Sequence, residues 1–179
     1  MSQAVVPALD VDADADVASA YESYRLDLRG YAASVTRDPV AAEDLVQESF
    51  VRLLGERQQG RSPTNVRAWL FTVCTNIVRS RARHRSIADR VGRLLARDLH
   101  EEVDEAAEHT VVRRERESEL LAAIQALPTE HRLALLLTAH GFSGPEVARI
   151  LGRSEGATRN ILWRSRLTVR DRLANGASE

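Results

Sequence analysis

The apolar positions of this chain recur at helical spacing almost from end to end, and the strict alternation of a half-buried strand is scarce. Tyr21, Tyr24, Leu28, Tyr31 and Val35 form one stripe and predict a first helix over residues 17–35. Asp38-Pro39 opens a second, with Asp38 as N-cap and proline in the first turn. It runs to about Arg57 and offers Leu45, Phe50, Val51 and Leu54 to a core. A loop through Gly60 and Pro63 leads to a third helix, about Asn65 to Arg85, with Trp69, Leu70, Val73, Ile77 and Val78 on its apolar side. Trp69 reads as a core residue rather than a stacking one, and Cys74 as a small buried apolar residue rather than a redox switch. Apolar residues then thin out between about Ser86 and His109, where a short helix over Ile87 to Leu99 is expected inside a linker. Helical patterning resumes near Val112 and breaks at Pro128; a leucine-rich helix covers Thr129 to His140, and two shorter helices follow.

Those last two carry strong punctuation. Ser143-Gly144-Pro145-Glu146 has the Ser-x-x-Glu form of a capping box, in which the glutamate reaches back to the N-cap amide. The helix ends at Leu151-Gly152, and Ser154 caps the next one, which runs to about Ala174. Ala148 is small where two helices would cross, and Gly152, four residues on, can take the left-handed conformation of a tight turn. Val147 and Leu151 before the turn, with Ile161 or Leu162 after it, would close a small core. The pattern is that of a helix-turn-helix.

Charge changes the picture more than composition does. The 179 residues are 44% hydrophobic and carry a net charge of −1, enough apolar material for one ordinary domain or two small ones. The basic residues are all arginine, and they are clustered. Residues 1–60 hold eleven acids and five arginines; residues 79–97 hold seven arginines and one acid; residues 98–108 hold six acids and no arginine; residues 149–172 return to seven arginines against two acids. Two basic blocks separated by an acidic one predict two anion-binding surfaces, although either block alone would read as a solvated helix face. One cysteine excludes a disulfide framework, and five scattered histidines lack ligand spacing. Neither a metal nor a cofactor is expected, and neither a nucleophile–base pair nor a phosphate-cradling glycine loop is apparent. No apolar run approaches a membrane span, and the N-terminus lacks the basic start and apolar block of a secretory signal, so the chain is expected in the cytoplasm and not itself in the membrane.

In the helix-turn-helix the second helix would enter the major groove by its N-terminal turns. Ser154, Gly156, Ala157 and Thr158 keep that end slim. Arg159 and Asn160 suit base reading, since arginine pairs with guanine and asparagine with adenine. Arg153, Arg164 and Arg166 suit phosphate anchoring.

Two N-terminal stretches narrow the possibilities. Ala42-Glu43-Asp44-Leu45-Val46-Gln47-Glu48-Ser49-Phe50-Val51-Arg52-Leu53 closely resembles the polymerase-binding helix of extracytoplasmic-function sigma factors. Val66 through Asn76 resembles the promoter-melting helix of the same family, and Leu127-Pro128 through Leu173 its second DNA-binding domain. The resemblance spans about residues 20–85 and 112–173. It implies an all-α protein: a leader over 1–16, a polymerase-binding and −10 domain over 17–86, an acidic linker over 87–111, and a −35 helix-turn-helix domain over 112–175.

The partners it implies are core RNA polymerase, through the largest-subunit clamp helices and the flap, promoter DNA, and an anti-sigma factor, expected to be membrane-bound. Asp44, Gln47, Glu48 and Arg52 share one helical face and would dock on the clamp helices; without the resemblance that face reads as merely solvated. Asn76 matches the position that captures a flipped −10 base, with Arg79, Arg81, Arg83 and Arg85 holding the backbone around the opened region. Arg153, Ser154, Thr158, Arg159, Asn160, Arg164 and Arg166 would meet the −35 element. The acidic linker would mimic RNA in the polymerase channels.

Departures from the family pattern fall at Ser80, where aspartate is common, at Arg153-Ser154-Glu155, at Thr158 and at Ile161. The alternative is a stand-alone helix-turn-helix regulator with an N-terminal dimerisation or ligand domain, which leaves the Asp44–Arg52 pattern unexplained.

Overall fold

The computed structural model describes residues 11–92 and 111–176, with side chains for 16–83 and 118–174. Among the described residues there are seven helices and no strand: α1 (Val11–Thr36), α2 (Pro39–Gln58), α3 (Val66–Gly92), α4 (Val111–Gln125), α5 (Thr129–Ala139), α6 (Gly144–Leu151) and α7 (Glu155–Gly176). None of them is long and apolar enough to cross a membrane. The chain divides into two compact units within α3, between Ile77 and Val78. By that point α3 is turning arginine-rich.

In the N-terminal unit α1 and α2 form a hairpin closed by local chemistry. Arg37 adopts a left-handed φ of 60° and its N–H donates to the Ala33 carbonyl at 2.9 Å, which ends α1. Asp38 Oδ1 then accepts from the Val40 and Ala41 amides at 2.8 and 3.1 Å, capping α2 as its sequence predicts. The core is made of Leu28, Tyr31, Ala32 and Val35 from α1, Ala42, Leu45, Val46, Phe50 and Leu53 from α2, and Leu70, Phe71, Cys74 and Ile77 from α3. Two aromatic pairs tie the helices together. Tyr21 meets Phe50 edge-on at 5.0 Å, and Tyr31 meets Phe71 at 5.1 Å. Burial drives the Tyr31 phenol far above its ordinary pKa, and its hydroxyl is satisfied by the buried Thr75 Oγ1 at 2.8 Å. Near the surface, Arg67 donates two hydrogen bonds to Asp27 Oδ2 and lies over the Phe71 ring, joining α3 to α1.

The C-terminal unit packs α4, α5 and α6 against α7. Ala123, Leu127 and Val169 are buried at one end, backed by Ile124, Leu135 and Leu173. Leu133, Ala134, Leu137, Phe142, Val147, Ala148, Ile150, Leu151 and Leu162 fill the rest of the interior. The capping box of α6 is formed, the Ser143 amide donating to Glu146 Oε2 at 2.8 Å. Gly152 has φ 60° and ψ 41°. That left-handed turn lets α7 begin almost at once, with Ser154 Oγ accepting from the Ala157 amide at 3.2 Å.

Several expectations are corrected. α1 begins at Val11 rather than 17, so residues 11–16 are helical and only 1–10 of the expected leader lie outside the described residues. Asp16 in that added turn pairs with the largely buried Arg57 at 2.6 Å, which anchors it to α2. α3 runs unbroken to Gly92, so no separate helix starts at Ile87; the linker from 93 to 110 lies outside the described residues. Val51 is 68% exposed, because Phe50 and Leu53 occupy the buried stripe of α2. Trp69 is half-buried instead of in the core, which Leu70, Phe71 and Cys74 fill from the other side of α3.

The Tyr31–Thr75 pair generates a test. Tyr31→Phe leaves the Thr75 hydroxyl without its partner and should destabilise the N-terminal unit by about 1 kcal/mol. Adding Thr75→Val should recover most of that loss, because removing both partners removes the unsatisfied group. Urea unfolding followed through Trp69, in a Trp163→Phe background, measures both.

Candidate nucleic-acid and protein interfaces

Helix α2 presents two unlike faces. Ala42, Leu45, Val46, Ser49, Phe50 and Leu53 are buried, the Ser49 hydroxyl donating to the Leu45 carbonyl at 2.7 Å. Asp44, Gln47 and Arg52 are exposed on the opposite side and Glu48 is half-buried there. Glu48 and Arg52 form an ion pair at 2.6 Å, one helical turn apart. The four residues expected to dock on a partner therefore do share a face. The sequence reading missed that Val40 and Val51, 72% and 68% exposed, lie on the same side. Their spacing, eleven residues or three turns, was the available signal.

On α3, Asn76 is exposed while its neighbours Cys74, Thr75 and Ile77 are buried. Trp69, two turns earlier, falls on the Asn76 side. Arg79 and Arg81 are half-buried and Arg83 is exposed. Arg85 belongs to the same helix, but its side chain lies outside the described residues. Asn76 thus faces outward just where α3 begins to carry its arginines.

Helix α7 sorts the C-terminal candidates. Thr158, Leu162, Ser165 and Val169 form its buried stripe. Thr158 was expected at the DNA surface; at 1% exposure it belongs to the core, its hydroxyl donating to the Ser154 carbonyl at 3.0 Å. The physical reason is register: four residues before Leu162, it stands on the side that α7 turns inward. Arg159, Asn160, Arg164 and Arg166 are all exposed. Ser154 is exposed as well, but its hydroxyl oxygen serves as the helix cap.

Arg153 has a partner that sequence reasoning missed. Its Nε and Nη2 donate to the two carboxylate oxygens of Glu130 at 2.7 and 3.0 Å, a bidentate pair across the surface. The Arg153 guanidinium hydrogen-bonded to Glu130 holds that carboxyl below the usual range. The pair links the start of α5 to the turn before α7, so Arg153 acts within the protein as well as at its surface. Twenty-three residues separate the two, and no local pattern announces the contact. Trp163, 62% exposed on α7, also went unremarked.

No group of histidine, cysteine, aspartate and glutamate able to hold a metal exists among the described residues. What the geometry offers is surface: a mixed polar face on α2, an outward asparagine followed by arginines on α3, and a basic helix on a capped helix-turn-helix.

Family models match in the same two places. Residues 20–87 match sigma-70 region 2, and residues 117–169 match sigma-70 region 4. The chain is 34% identical over 142 residues to the ECF RNA polymerase sigma factor EcfG of Rhodopseudomonas palustris, covering 78% of this chain and 75% of that one. It is 29% identical over 150 residues to the ECF RNA polymerase sigma factor SigL of Mycobacterium tuberculosis, covering 79% of this chain and 80% of that one. Among solved structures, the sigma factor RpoE of Bartonella quintana, in complex with the anti-sigma factor NepR, superposes with a TM-score of 0.69 at 23% identity, covering 89% of this chain and 97% of that one. The likeness in structure shows the shared fold. With both sigma-70 regions in order, and a relative of 34% identity aligned over most of both chains, this protein belongs to the extracytoplasmic-function family of RNA polymerase sigma factors, which direct transcription initiation.

Proposed function

We propose that the chain binds core RNA polymerase through α2, recognises and opens the −10 element through α3, and reads the −35 element through α7. The observation that carries the reading is the division of α7, whose buried stripe leaves Arg159, Asn160, Arg164 and Arg166 outward behind a capped left-handed turn. Asp44, Gln47, Glu48 and Arg52 are the polymerase contacts, toward the clamp helices, and a polar charged face suits a partner that must later be released. The flap is the second polymerase contact. Asn76 takes the unstacked −10 base, and Arg79, Arg81, Arg83 and Arg85 hold the backbone around it. At the −35 element Arg159 and Asn160 read bases, Arg164 and Arg166 anchor phosphates, and Arg153 and Ser154 flank them from the turn.

The subunit performs no chemistry itself and works in the cytoplasm. It is held idle by an anti-sigma factor, a membrane-bound one in this reading; RpoE of Bartonella quintana was solved in complex with an anti-sigma factor, NepR. A stand-alone helix-turn-helix regulator would leave the region 2 match over residues 20–87 without a role.

The polymerase face is tested by charge reversal. Asp44→Lys with Glu48→Lys should abolish co-purification with core polymerase while far-ultraviolet circular dichroism stays unchanged. The new like-charge pair with Arg52 costs the helix only about 0.2–0.5 kcal/mol. Wild-type recovery of the complex would refute the assignment.

For melting, Asn76→Ala should leave polymerase binding intact and weaken promoter opening by roughly 1–3 kcal/mol, the cost of a buried hydrogen bond left unmade. Permanganate footprinting reads it directly, and unchanged thymine reactivity at −10 would remove Asn76 from the site.

Reading and anchoring must fail differently. Arg159→Ala should cost holoenzyme roughly 1–3 kcal/mol on the best −35 sequence and much less on a mismatched one. Arg164→Ala or Arg166→Ala should weaken both alike and lower the log–log salt slope by about one for each phosphate no longer neutralised. Salt titrations of holoenzyme on matched and mismatched promoters separate these outcomes. Equal losses for Arg159→Ala, with an altered slope, would make it another anchor.

A further inference from the structure

Trp163 is the largest exposed apolar side chain among the described residues, and its exposure of 62% needs an explanation. It does not belong to the core stripe of α7, which runs through Thr158, Leu162, Ser165 and Val169. At 100° per residue it lies instead within about 60° of Gly156, Arg159, Asn160, Arg166 and Arg170. It therefore stands near the middle of the basic face. No arginine of α7 covers it: the guanidinium groups that lie over rings in the described residues are those of Arg25 and Arg67.

An indole in that setting has a specific use. Helical Cα–Cβ bonds tilt toward the N-terminus, so Trp163 leans over the turn that carries Arg159 and Asn160, the end that enters the groove. Gly156, one turn earlier still, has no side chain to block it and nothing within 4 Å of where a Cβ would stand. The apolar group that the major groove displays is the thymine C5-methyl, and aromatic side chains contact it. A basic surround selects a polyanion over a neutral or cationic protein surface. We infer that Trp163 is a further specificity-determining residue of the −35 helix, its indole packing on a thymine methyl beside the bases read by Arg159 and Asn160. The inference rests on the reading of α7 as the −35 helix.

The test uses holoenzyme and promoter fragments whose −35 thymidines are replaced one at a time by deoxyuridine, which deletes only the methyl group. Wild-type holoenzyme should lose about fourfold in affinity at one position, the worth of one buried methyl. Trp163→Ala should lose about tenfold on the thymidine fragment and nothing further on deoxyuridine at that position, with the salt slope unchanged. Trp163→Phe should fall between them and keep some sensitivity to the methyl.

Equal losses for Trp163→Ala on both fragments, or a reduced salt slope, would overturn the thymine contact, since the indole would then be supporting the arginines. Normal DNA binding with impaired association with core polymerase would also overturn it, by assigning the residue to a protein surface. If Trp163→Ala is silent while Arg159→Ala flattens discrimination, the inference fails and the −35 reading stands. If both are silent, α7 is not the reading helix and both fail.

Discussion

A helix in a unit this small can bury one stripe and no more, because too little chain surrounds it to cover the rest. That constraint organises both halves of the protein. In α2 the stripe through Ala42, Leu45, Val46, Ser49, Phe50 and Leu53 turns inward, and Asp44, Gln47, Val51 and Arg52 are thereby left outside. In α7 the stripe through Thr158, Leu162, Ser165 and Val169 does the same for Arg159, Asn160 and Trp163. The polar members of the buried stripes stay inside because each has a partner. Ser49 and Ser165 donate to the carbonyl one turn back at 2.7 Å, Thr158 does so at 3.0 Å, and Tyr31 and Thr75 satisfy each other.

The outward faces differ in kind. That of α2 mixes a carboxylate, an amide and an ion pair with two exposed valines, so it combines apolar contact area with polar groups that set orientation. That of α7 is basic, with a single aromatic among its arginines. A mixed face fits a protein partner and a basic one fits a phosphate backbone, as expected of a subunit whose work is to bring polymerase and promoter together. Arg153 shows that charge alone does not assign a role. Glu130 takes two of its donors and couples the turn before α7 to the start of α5, so this arginine also braces the beginning of α7.

The sequence by itself determined what depends on residues within a turn or two of one another. Helix order, the Asp38 cap, the capping box of Ser143 and Glu146, and the left-handed turn at Gly152 all follow from contacts no longer than about four residues. Family motifs carried the candidate residues of α2 and α3, and helical phase placed Asp44, Gln47, Glu48 and Arg52 on one face. Tertiary structure alone decided where each apolar stripe ends and how deeply each of its residues is buried. Phe50 and Val51 are both apolar neighbours; Phe50 lies on the side that meets α1, where Tyr21 stands at 5.0 Å, and Val51 does not. Thr158 suits a groove-facing helix start in composition, yet its place four residues before Leu162 commits it to the core. Asp16 belongs to a helix rather than a leader because Arg57, forty-one residues away, waits for it across the hairpin. Such contacts are absent from any local pattern, since burial is a property of what packs against a residue and not of the residue alone.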